Sequence, residues 1–136
     1  MSKMHKLILR AHVWSVAFML PLLVRFFSLR KLLWVVTPPK FLRLYSNAKV
    51  EDIVAEVSRR LAEPVNMRRR ACLRRGLTLF HFLRLAGHPA ELHFAVYPMS
   101  EQDTMHAHCW VTVAGTAVSY PPQGPHKVIM TYGNRN

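Results

Sequence analysis

Two cysteines and a pair of histidines are the side chains in this chain best suited to chemistry. Cys72 opens the run Ala71-Cys72-Leu73-Arg74-Arg75-Gly76-Leu77-Thr78-Leu79-Phe80, in which Leu73, Leu77, Phe80 and Leu83 recur at spacings of three and four. That spacing predicts a helix with one apolar face and a thiol in its first turn. A helix N-terminus offers unpaired N–H groups and the positive end of the peptide dipoles, and Arg68, Arg69 and Arg70 stand just ahead of it. Both favour thiolate over thiol, the form in which cysteine is a nucleophile.

A thiolate needs a proton carrier. The run His106-Ala107-His108-Cys109-Trp110-Val111 has the β-branched and aromatic content of a strand. Alternation then puts His106, His108 and Trp110 on one face and Cys109 on the other, so the second cysteine is expected to point away from the site. A helix-borne thiol and a strand-borne imidazole are the components of a Cys-His pair. The bland reading is a buried cysteine acting as a small hydrophobe and a strand histidine that is merely hydrogen-bonded. A metal site at His106, His108 and Cys109 is the other reading. Alternation splits that set, and no CxxC or HExxH accompanies it, so no metal and no cofactor are assigned.

Four short motifs occur in order: Arg70-Ala71-Cys72-Leu73, then Leu83-Arg84-Leu85-Ala86-Gly87-His88-Pro89-Ala90-Glu91-Leu92, then His106 to Val111, then Gly115. In this the chain resembles the transglutaminase-like leader peptidase of lasso-peptide biosynthesis, in its stand-alone B-protein form. The likeness covers residues 64–120 and, more loosely, the basic Leu-rich half before them. It implies an α+β fold, a transglutaminase-like or papain-like cysteine protease core with N-terminal helices and a catalytic helix packed on a small antiparallel sheet. It also implies Cys72 as nucleophile and His108 as general base. The resemblance fails at the third member. An Asp follows the family histidine by about a dozen positions, but here the chain reads Ala117-Val118-Ser119-Tyr120, with no Asp or Glu after Asp103. Ser119 and Tyr120 are the candidate orienting groups, and Glu91 and Asp103 the nearest acids.

The activity so implied is removal of the leader from a ribosomally made lasso-peptide precursor. The implied partners are the precursor leader, a separate PqqD-like leader-recognition protein and the lasso cyclase. The length of 136 residues leaves no room for a fused recognition domain, which is why a separate one is expected. A catalytically silent transglutaminase-like binding module, or a basic membrane-surface protein, is the alternative.

Composition sets the outer bounds. One domain over residues 1–136 is expected, helical over 1–63 and catalytic over 64–136. The formal charge is +12, with most Lys and Arg at or before Arg75, which favours acidic partners without choosing among them. The arginines sit among Leu and Phe as in amphipathic helices, without the aromatic-interleaved strands that read single-stranded RNA, so no nucleic acid is expected. The absence of a small-residue cleavage motif predicts a cytoplasmic protein, peripheral at the membrane in the rival reading.

Residues 4–36 predict a pair of helices packed on the core. Their longest uncharged stretch, Ala11 to Val24, contains Pro21 and is shorter than the roughly twenty residues a membrane span needs. Residues 48–62 predict an amphipathic helix with acid early and base late. The Cys72 helix is expected to end at Gly87, followed by strands from Ala90, through His108 to Val113, to Ser119, and at an edge over 128–132.

Overall fold

The computed structural model describes residues 3–39, 42–46, 48–61, 71–96, 107–118 and 127–133, with the backbone alone for Ala71, Cys72 and Ala107. Among these, four helices precede four strands: α1 (Lys3–Phe26), α2 (Leu29–Val36), α3 (Val50–Leu61), α4 (Ala71–Leu85), β1 (Ala90–Val96), β2 (Ala107–Val113), β3 (Thr116–Ala117) and β4 (Lys127–Tyr132). The strands form one antiparallel sheet in the order β3-β2-β1-β4. The fold is α+β, and every element foreseen in the described segments is present.

α4 is the centre of the core. Leu77, Phe80, Phe82 and Leu83 are all fully buried, so the helix is apolar on more than the one face its spacing foretold. Its layered surroundings explain this: β1 and β2 cover one side, and α1, α2 and α3 cover the others. A helix hydrophobic all round is stable only when buried all round. It ends in a Schellman motif, with Gly87 at φ +87°, its N–H on the Arg84 carbonyl and the His88 N–H on the Leu83 carbonyl.

The amphipathic α3 turns Ile53, Val57 and Leu61 inward, and Glu51, Asp52 and Arg59, Arg60 complement its dipole. α1 buries Leu9, Val13, Leu20 and Val24. It runs through Pro21 without ending. The break between the two N-terminal helices comes instead at Phe27-Ser28, where the Ser28 hydroxyl accepts the Lys31 N–H and caps α2. α1 is therefore 24 residues long, enough by length and composition to cross a membrane, where the uncharged stretch alone was too short.

Polar groups pin these helices to α4. His12 of α1 hydrogen-bonds the Tyr45 hydroxyl at 2.8 Å and meets Phe82 edge-on at 4.7 Å. His81 of α4 donates from Nδ1 to the Val36 carbonyl at the end of α2, 2.8 Å away. Burial pushes both histidines below their ordinary value of 6.5; the charge of His81 adds to the effect on His12, and the Val36 bond opposes it on His81. Each ring thus binds fewer protons folded than unfolded between its lowered pKa and 6.5. Stability is accordingly full above that window and falls as the pH drops through it. A series of melting temperatures from neutral to mildly acidic pH is expected to decline below about pH 6.5. His81→Asn, which keeps an N–H for Val36 without a titrating ring, is expected to flatten that decline. An unchanged slope in the variant would remove His81 from the account.

Candidate active site

The contacts between α4 and the sheet fix the direction of the helix. A Cβ placed on Gly76 would stand 2.6 Å from Cys109 Sγ and 3.0 Å from Leu92 Cδ1. One turn later Phe80 packs on Tyr132, with ring centroids 5.7 Å apart, and a further turn on Arg84 Nε donates to the Ala90 carbonyl. In the sheet Phe94 pairs with Cys109, Leu92 with Val111 and Ala90 with Val113. α4 therefore runs from the Val96/Ala107 end of the β1–β2 pair toward the Ala90/Val113 end. Its first turn, with the Cys72 backbone, lies at the end where β2 begins, and His108 is the second residue of β2.

The same contacts place Cys109. It points away from His108, as alternation requires, and toward the helix: it is the β2 side chain seated over Gly76, and it is buried. The cause is local fit. With no side chain at Gly76 the two backbones approach closely, and the residue facing the gap has to be small.

The other face of the sheet carries His108, Trp110 and His93. Trp110 is 7 % exposed, and the rings of His93 and His108 lie nearly parallel to it, at centroid distances of 5.2 and 6.1 Å and interplanar angles of 23° and 20°. His93, opposite Trp110 in the register, is held from both sides by threonine hydroxyls: Nε2 lies 2.8 Å from Thr112 Oγ1 and Nδ1 3.1 Å from Thr131 Oγ1. Burial moves His93 below the ordinary histidine value, with the nearby Glu91 charge opposing. Inspection of the sequence missed this row. Its signal was there in the alternation of His93 with Leu92 and Phe94, but only the β1–β2 register sets His93 across from Trp110.

His108 and Trp110 share a face, as alternation required, and that face is the one turned away from α4. The Cys72 side chain, His106, Asp103, Ser119 and Tyr120 lie outside the described residues. Glu91 does not stand beside His108: it pairs with Thr112, while His108 pairs with Ala95 four residues on, a separation of about 13 Å along the strand. Among the described residues, no group of three or more His, Cys, Asp or Glu side chains is arranged to hold a metal ion.

The model of the transglutaminase-like superfamily matches residues 14–130. No significant match is found among curated proteins or among solved structures.

The fit at Gly76 is directly testable. Gly76→Ala gains helix propensity of about 1 kcal/mol but drives a methyl into the Cys109 sulfur, an overpacking of about 1–3 kcal/mol. Denaturant unfolding is expected to show net destabilisation, with Cys109→Ala recovering most of it in the double variant through a favourable coupling. A Gly76→Ala protein as stable as the parent would contradict the close approach.

Proposed function

The chain belongs to the transglutaminase-like superfamily, which includes cysteine peptidases, and from that premise we propose that it is a cysteine peptidase trimming the leader from a lasso-peptide precursor. What supports this reading most is the juxtaposition of the α4 N-terminus with the start of β2, which brings the Cys72 backbone and His108 to one end of the sheet. The leader-peptidase assignment itself rests on the four sequence motifs.

In this mechanism the Cys72 thiolate attacks the scissile carbonyl. An S–C bond forms as the C–N bond breaks, and His108 gives its proton to the departing amine. Water, deprotonated by the same imidazole, then hydrolyses the acyl-enzyme and returns the thiolate. The first-turn N–H groups of α4 are the nearest donors for the oxyanion. With Tyr120 in the neighbourhood of the family aspartate, the third member is Ser119 or Tyr120, or the enzyme works as a dyad. Trp110 gives the His108 ring a parallel wall, which restrains the angle an orienting acid would otherwise set. The precursor is presented by a PqqD-like recognition protein, passed on to the cyclase after cleavage, and the reaction takes place in the cytoplasm.

Two observations favour a second reading, a transglutaminase-like domain that binds without cleaving. His108 faces away from α4, and no acid follows Asp103. Incubation with the precursor and recognition protein of its own gene neighbourhood, followed by mass spectrometry, separates the two. Cleavage is expected for the parent and is expected to fall by about 10²–10⁴ in His108→Ala and to vanish in Cys72→Ala. Cleavage that survives Cys72→Ala would refute the peptidase. No cleavage by the folded parent would assign the silent module.

A further inference from the structure

α1 is apolar on two sides, and only one of them meets the core. Leu9, Val13, Leu20 and Val24 are buried, whereas Leu7, Ile8, Trp14, Phe18, Leu22 and Phe26 are 51–74 % exposed. At 100° per residue the second set falls within an arc of about 120°, and from Leu7 to Phe26 it runs about 28 Å along the helix. Isolated exposed hydrophobes need no explanation; a strip of this length, whose arc also holds Ala11, Ser15 and Arg25, does. Phe27, Leu29 and Trp34, beyond the end of α1, are exposed as well.

The edge of the strip is basic. Lys3, Lys6 and Arg10 fall on one flank, and beside them α3 contributes Arg59 and Arg60. Arg10, Arg59 and Arg60 line a cleft of about 200 Å³ whose floor includes Val13 and Trp14. Glu56, the carboxylate among its described lining residues, is engaged by Arg10 at 2.8 Å and by Arg59. The Arg60 guanidinium lies 4.8 Å over the Trp14 ring, and Trp14 stacks on Phe18 with their planes 1° apart. Arg10, Arg59 and Arg60, grouped at the rim of an aromatic strip, form a setting for phosphate groups at an apolar boundary.

We propose that α1 lies flat on an anionic phospholipid bilayer, its outer strip in the boundary between headgroups and acyl chains and the Arg10–Arg59–Arg60 cleft on lipid phosphates. A spanning orientation does not suit α1. Its inner face is part of the core, where His12 bonds Tyr45, and on its flank Arg10 bonds Glu56; lipid on all sides would break those contacts. Two copies joined through the strip would bring like-charged flanks together in a chain of net charge +12. An anionic surface satisfies both the apolar strip and its basic border. This docking does not depend on the chemistry at Cys72.

Flotation of the whole chain with phosphatidylcholine vesicles, with and without phosphatidylglycerol, tests the proposal. Binding is expected on the anionic vesicles and to weaken with salt. The double variants Trp14→Ser/Phe18→Ser and Arg59→Glu/Arg60→Glu are each expected to bind about tenfold or more weakly. Circular dichroism checks their folding, and Leu7→Ser/Leu22→Ser replaces the first pair if it does not fold. A parent chain that floats with neither vesicle overturns the proposal, as does an apolar variant that binds like the parent. A concentration-dependent dimer in sedimentation, dispersed by the serine variants, would assign the strip to a second copy instead and overturn it equally.

Discussion

The close approach of α4 to the sheet at Gly76 is the constraint from which the rest of the arrangement follows. A helix over a sheet normally stands off by the length of two side chains. Here one of the two is missing, and the sulfur of Cys109 occupies the space a methyl would need. This draws the first half of α4 onto β2 and leaves room above it for a small side chain only. Trp110 and His108, the next residues in alternation, are thereby committed to the opposite face. The position of the candidate base is thus a consequence of packing at a glycine one turn beyond the candidate nucleophile.

The second consequence concerns the helices. Because α4 is apolar almost all round, a sheet on one side is not enough, and α1, α2 and α3 are needed to exclude water from its other faces. The amphipathic α3 turns its buried face, Ile53, Val57 and Leu61, to α4 and α1. α1 does not. It satisfies α4 with Leu9, Val13, Leu20 and Val24 and has a second apolar face left over, bordered by cations. The histidines at the seams are polar fasteners of this layer: His12 ties α1 to Tyr45, and His81 ties α4 to the end of α2.

Much of the fold was legible because particular residues have few alternatives. Gly87 at a left-handed C-terminal position, with Pro89 beyond it, ends α4 almost by necessity. Ala114 and Gly115, both at positive φ, form the two-residue turn that joins β2 to β3. Alternation correctly separated His108 and Trp110 from Cys109. It could not say which of the two faces meets the helix, since a period of two is symmetric between them; the missing side chain at Gly76 breaks that symmetry. The length of α1 was hidden for a related reason. Charges and a proline were read as boundaries, whereas Arg10 is accommodated by a carboxylate on α3 and Pro21 lies within the helix. Glu91 was one of the two acids considered along the chain but is remote from His108 across the sheet, a fact that belongs to register and not to spacing.

Proteolysis by this chain requires that a thiolate at the start of α4 and the His108 imidazole act together at one end of the sheet. The pH dependence of Cys72 alkylation, followed by peptide-mapping mass spectrometry in the parent and in His108→Ala, measures that coupling most directly. Reactivity is expected to titrate well below the ordinary cysteine value of about 8.5 and to shift when the imidazole is removed. A Cys72 profile centred near the ordinary value and identical in the two proteins would contradict it.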